Sequence, residues 1–93
     1  MEWKEAIGQA VDLCKYWLGG AVIVYYDDLH TCEAVPGAIL KDISWTGHEH
    51  DWRVLFELSD PCDVAGPDYE DSEANRAAVV EMILEAIAQQ EFC

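Results

Sequence analysis

A chain of 93 residues in which 52% of side chains are hydrophobic can bury one core but not a core plus an independent second module, and that apolar share excludes disorder as the default state. Nineteen Asp and Glu against five Lys and Arg give a formal net charge of −14, so cations are too few to displace counterions from phosphates or to hold an anionic membrane, and direct binding to either is excluded. No apolar run approaches the ~20 residues that span a bilayer, and the start Met1-Glu2-Trp3-Lys4-Glu5 lacks the basic-then-apolar pattern of a secretion signal, so a cytoplasmic location is expected.

Residues 3–18 place Trp3, Ala6, Ile7, Ala10, Val11, Cys14, Trp17 and Leu18 at the three-four spacing of one helical face. The spacing predicts a helix ended by Gly19-Gly20, with both tryptophans in the core. Residues 21–26 form a continuous apolar run of β-branched and aromatic type, which reads as a central strand. Residues 27–33 turn polar and Pro36-Gly37 is a turn dipeptide, so a long exposed connection is expected there. A second strand is expected within residues 38–45, where Ile39, Ile43 and Trp45 share a face and Lys41 breaks the alternation, marking an edge. Residues 46–51 read as a hairpin loop. The third strand, residues 52–58, alternates Trp52, Val54, Phe56 and Leu58 against Arg53, Leu55 and Glu57.

The next stretch, residues 60–73, holds six carboxylates, two prolines and a glycine with no basic residue. It is expected to stay out of helix and sheet and to end at a helix start capped by Asp71 or Ser72. That second helix covers residues 73–90, with Val80, Ile83, Leu84 and Ile87 as its stripe and Ala77 permitting close approach. The whole reads as one acidic α+β domain over residues 1–93, of order α-β-β-β-α. A three-stranded antiparallel meander with both helices on one face buries both stripes.

Chemistry-bearing clusters are sparse. His48 and His50, one residue apart, could share a Zn²⁺ or Ni²⁺ with a carboxylate, but the favoured reading is a polar loop tip with no metal and no cofactor. Cys32 beside His30 or His48 is the one candidate nucleophile pair, and without a phosphate loop or nucleophile elbow no enzyme is expected. Cys14, Cys32, Cys62 and Cys93 are expected as free thiols in a cytosolic chain, with Cys14 in the core.

What remains is the charge. Solubility of a small domain is served by a net magnitude of roughly 2–8, and the excess self-repulsion is easier to understand if a basic partner offsets it. The expected function is therefore a non-enzymatic inhibitor that mimics nucleic acid and blocks the basic groove of a nuclease or CRISPR effector. Phage-borne anti-CRISPR proteins share this size and balance, and a phage origin would place it in the host cytoplasm. An immunity protein or antitoxin against a nuclease toxin uses the same physics. A structural or regulatory subunit pairing, or homodimerising, through its sheet edge is the alternative of a different class. Asp27, Asp28, Glu49, Asp51, Asp60, Asp63, Asp68, Glu70, Asp71 and Glu73 are the expected contacts, with Tyr69, and Tyr25 or Tyr26 if exposed, as aromatic anchors.

Overall fold

In a computed structural model that describes residues 3–91, the chain is a mixed α+β fold built on a three-stranded antiparallel sheet. The first helix, α1 (Trp3–Leu13), buries Ala6, Ile7, Gly8, Ala10 and Val11 as its spacing requires. It stops five residues short of the expected end. Residues 14–18 form turns instead, with the Trp17 N–H donating to the Leu13 carbonyl and the Gly20 N–H to that of Trp17. Continuing the helix would carry the chain about 1.5 Å per residue past the start of the central strand that follows. The Cys14 thiol marks the change, donating to the Leu58 carbonyl at 3.3 Å. Tyr16, Trp17 and Leu18 consequently lie exposed, and the expectation that Trp17 and Leu18 join the core is overturned.

The apolar run forms β1 (Ala21–Tyr26), the central strand, as expected. Its partner β2 (Thr31–Pro36) follows after a tight turn over residues 27–30, in which His30 adopts φ 54° and its N–H closes on the Tyr26 carbonyl. The second strand therefore lies earlier than residues 38–45, and the long exposed connection is absent. Glu33, Ala34 and Pro36 are poor strand formers. They pair because β1 needs a neighbour, and Cys32 and Ala34 are small enough to let α1 approach.

Residues 37–51 make neither an edge strand nor a hairpin. They form a one-turn helix, α2 (Gly37–Leu40), and a 3-10 turn (Thr46–Glu49), and they cross the sheet to deliver β3 (Trp52–Leu58) to the other side of β1. The order is β2-β1-β3, not a meander. The most apolar strand takes the centre because both of its faces are then covered. Ile39, Leu40, Trp45 and Trp52 pack on Val22, Val24, Tyr26 and Val35 beneath this crossover, while the helices cover the opposite face.

Strict alternation in β3 fails at one point. Ile23 pairs with Phe56 but Val24 with Val54, so a bulge inserts Leu55. Leu55, Phe56 and Leu58 turn to the helices, and Trp52 and Val54 lie on the other side. Beyond it, α3 (Cys62–Ala65) is a single turn inside the acidic stretch expected to be irregular. The last helix, α4 (Glu73–Glu91), starts on Ser72, whose Oγ accepts from the Asn75 N–H at 3.2 Å. Val79, Val80, Ile83 and Ile87 face α1, β1 and Leu55, whereas Ala77 is exposed and plays no part in that approach. No disulfide links Cys14, Cys32 and Cys62, and Cys93 lies outside the described residues. No helix among the described residues is long and apolar enough to cross a membrane.

Trp45 is the centre of the crossover layer, edge-on to Trp52 at 5.2 Å and to His48 at 4.9 Å. Gly47 holds this arrangement open, since a Cβ there would sit 2.2 Å from the indole. Trp45→Ala should lower stability by about 2–3 kcal/mol, below the full core value because the ring is half-buried. Urea unfolding with an unchanged slope checks it.

Candidate partner-binding surface

The acids expected to act as one surface fall at the two ends of the sheet. Asp27, Asp28, Glu49 and Asp51 gather where β1 ends, tied by the Asp27 N–H donating to the Asp51 carbonyl at 2.8 Å. Asp60, Asp63, Asp68, Glu70, Asp71 and Glu73 gather where β1 begins, since Ala21 pairs with Leu58 and Asp71 meets the end of α1. Six residues of strand, about 20 Å, separate the groups.

At the first end the carboxylates are partly spent inside the fold. His50 Nδ1 donates to Asp28 Oδ2 at 2.8 Å, and Arg53 lies 3.6 Å from Asp27. Desolvation pushes the Asp28 carboxyl up, but the His50 bond and charge outweigh it and hold it below its ordinary range. Beside it Tyr26 donates to Glu33 at 2.5 Å, and burial together with that bond drives its phenol far above the usual value. His48 is engaged elsewhere, with Nε2 3.1 Å from the Asp42 carbonyl and its ring against Trp45 and Trp52. The two histidines thus serve different partners, and among the described residues no group of three or more His, Cys, Asp or Glu could hold a metal ion.

Nor are the thiols activated. Burial pushes the Cys32 and Cys14 thiols up, and a hydrogen bond to Asp60 does the same for Cys62. Each shift disfavours the thiolate that nucleophilic chemistry needs. Cys32 is buried on the helix side of the sheet, whereas His48 belongs to the crossover on the other side.

The second end rests on a cation frame. Arg76 donates from Nε and Nη2 to both oxygens of Asp12 at 2.9 Å, and Lys15 reaches Asp71 at 3.0 Å. These pairs join the end of α1 to the start of α4. Gly8 makes room for the guanidinium, since a Cβ there would fall 2.6 Å from Nη2. Asp60 accepts from the Cys62 N–H at 2.9 Å, and Asn75 Nδ2 donates to the Glu70 carbonyl at 2.8 Å. Asp63, Asp68, Glu70 and Glu73 are exposed, and their carboxylates form no ion pair among the described residues. Glu73 also lies in the first turn of α4, where the helix dipole favours negative charge.

The frame implies a pH dependence. The Arg76 hydrogen bond, against the opposing effect of burial, lowers the Asp12 carboxyl, and backbone and Ser44 bonds lower Asp42. Carboxyls lowered on folding stabilise the native state above their unfolded pKa of about 3.9, and this contribution is lost as pH falls through the lower native values. Urea midpoints should therefore fall between pH 5 and pH 2.5. In Arg76→Ala the Asp12 share of that fall should vanish, at a cost of about 1 kcal/mol for a partly exposed bidentate pair.

The aromatic anchors are not free. Tyr69 packs against the core, and its hydroxyl is buried with no partner among the described residues. Tyr25 stacks on Trp3 at 6.0 Å with Arg53 over its ring, and Tyr26 is buried. Exposed apolar side chains occur instead at Tyr16, Leu18, Ile43 and Met82. Periodicity assigned Leu18 to the core, and Met82 carries no distinguishing signal in a helix rich in alanine.

Four of the five cations face an acid: Lys4 with Glu81, Lys15 with Asp71, Arg53 with Asp27 and Arg76 with Asp12. No charged residue among those described is buried. The negative excess is therefore carried on the surface. Comparison with known family models, curated proteins and solved structures finds no match to this chain.

Proposed function

We propose that this protein is a non-enzymatic inhibitor that occupies the basic nucleic-acid groove of a nuclease or CRISPR effector in the cytoplasm, presenting carboxylates where the groove expects phosphates. The observation that carries this reading is the charge inventory: an excess of 14 negative charges, with no described charge buried and four of five cations already engaged by the fold's own acids. Such a surface gains little from further internal pairing and much from Arg and Lys of a partner. The molecule extends 39 Å along its longest axis, close to the roughly 34–36 Å of one duplex turn. The end carrying Asp63, Asp68, Glu70 and Glu73 is the stronger contact, because its acids are uncommitted.

Binding through a sheet edge is less well supported. The segment expected to be that edge, residues 38–45, crosses the second face, and the β3 edge carries the bulge at Leu55, a device that hinders strand addition.

Affinity capture from lysates of bacteria bearing varied defence systems and nuclease toxins, eluted in rising salt, tests the reading. A nuclease or CRISPR effector released at moderate salt and displaced by DNA or RNA is the expected result. A partner that survives high salt and ignores nucleic acid overturns it.

A further inference from the structure

The last helix is apolar on more than the side it buries. Val79, Val80, Ile83 and Ile87 point inward, yet Ala74, Ala77, Ala78, Met82 and Ala88 are exposed, and Glu81 and Glu85 are the only charges between residues 77 and 90. The exposed side of α1, by contrast, presents Lys4, Glu5 and Gln9. The outer face of α4 presents a shallow, open apolar surface of Ala78, Met82, Leu84 and Ala88 bordered by Glu81 and Glu85. A second such surface shares Ala78 and Met82 and extends to Ala65, Tyr69 and Asp68. The two adjoin at Ala78 and Met82, and this shallow furrow has Asp68 at one end and Ala88 at the other.

We infer that this furrow seats a basic amphipathic helix of the protein's partner, its apolar ridge on the alanine and methionine floor and its Lys and Arg on Glu85, Glu81 and Asp68. The inference rests on the reading that the partner is basic. Charge decides the occupant: a second copy would bring another −14 and set the rim acids against their own kind. An anionic bilayer meets the same repulsion. Residues 78–88 span about 15 Å of helix, three turns, which matches anchors at i, i+4 and i+7 of a docked helix. Met82 is 47% exposed, and its unbranched thioether adapts to varied apolar side chains. Lys4 already reaches Glu81 at 2.8 Å, but both side chains are more than half exposed, so water screens the pair and a partner cation can replace it.

The test uses the full chain and a synthetic peptide of about five helical turns with leucines on one face and lysines flanking them. Amide shifts should cluster at Ala78, Met82 and Ala88. Met82→Glu should weaken the peptide about tenfold and Glu85→Gln about threefold, while Met82→Leu retains it and a scrambled peptide of the same composition binds at least about tenfold more weakly. Equal binding of the scrambled peptide, shifts centred elsewhere, self-association of the chain abolished by Met82→Glu, or protection of the furrow by neutral lipid vesicles would each overturn the inference. The two readings fail separately. A captured nuclease displaced by nucleic acid but indifferent to both Met82→Glu and the peptide removes the furrow alone, whereas capture of no basic partner removes the inhibitor reading.

Discussion

Replacing Asp63, Asp68, Glu70 and Glu73 together by Lys is expected to weaken partner binding by at least about 100-fold while leaving the fold intact. Each reversal removes an attractive pair and installs a repulsive one, and interfacial charge pairs couple by roughly 1.5 kcal/mol or more. The four acids are exposed and hold no internal ion pair, so the fold loses little beyond the helix-dipole contribution of Glu73, about 0.3–1 kcal/mol. Asp71 is left in place because its reversal would also release Lys15. The decisive control changes net charge equally: Glu5, Glu49, Asp51 and Glu57, all exposed, reversed to Lys. Both variants fall from −14 to a net of −6. If total charge were what the partner reads, the two would bind alike. If the β1-start end is the stronger contact, the control should lose less than about tenfold, through slower electrostatic steering and the weaker contacts of Glu49 and Asp51. Binding isotherms at two ionic strengths separate these outcomes, because the first variant should flatten the salt dependence more than the control.

What the sequence disclosed of this fold follows from where periodicity speaks. The run at residues 21–26 is apolar at every position, and a strand of that kind must be covered on both sides, so its central place was legible. The position of Leu55 was not. A bulge leaves no mark in an alternating string such as residues 52–58, and it arises from matching two strands that lie far apart in sequence. The second strand was hidden for a related reason. Glu33, Ala34 and Pro36 have low strand propensity and are recruited by the edge of β1, whereas Ile39 and Trp45, which look strand-like, are used to roof the second face. Tertiary context overrode local preference in both places.

The acidic surface was legible in total and in outline but not in its division. Nothing local announces that Asp28 will meet His50, 22 residues away, or that Asp12 will meet Arg76, 64 residues away. Those long-range pairs distinguish acids that stabilise the fold from acids left uncommitted on the surface. Tyr69 illustrates the same limit. Its place between carboxylates suggested an exposed anchor, but its ring packs against the core and its hydroxyl is buried, while the neighbouring acids stay outside.

Gly20→Ala is expected to cost about 3–5 kcal/mol, a large part of the roughly 5–14 kcal/mol that holds a domain of this size. Two effects combine. Gly20 has φ +72°, a conformation that costs an L-residue about 1–2 kcal/mol. A Cβ would also lie 2.2 Å from the Leu58 carbonyl oxygen and 2.7 Å from the Ser59 Cα. Both are backbone atoms of the β3 end, which cannot swing aside without opening the ladder where Ala21 pairs with Leu58. Relief would also strain the Gly37 N–H, which donates to the Gly20 carbonyl at 3.1 Å and anchors the start of the crossover. Two further glycines separate strain from collision. Gly66 has φ 99° and ψ 171°, a region open essentially to glycine alone, but open space around its Cβ direction, so Gly66→Ala should show strain without collision, about 1–3 kcal/mol. Gly19 has neither constraint, and Gly19→Ala should leave stability unchanged or raise it by up to about 1 kcal/mol by restricting the unfolded chain. Urea titrations of the three variants should rank them Gly20, Gly66, Gly19 in order of loss. Equal losses at Gly20 and Gly66 would mean that backbone conformation dominates and that the contact with β3 yields without cost. A much larger loss at Gly20 places a close backbone approach at the junction where α1 hands the chain to the sheet, beside the end that carries the uncommitted acids.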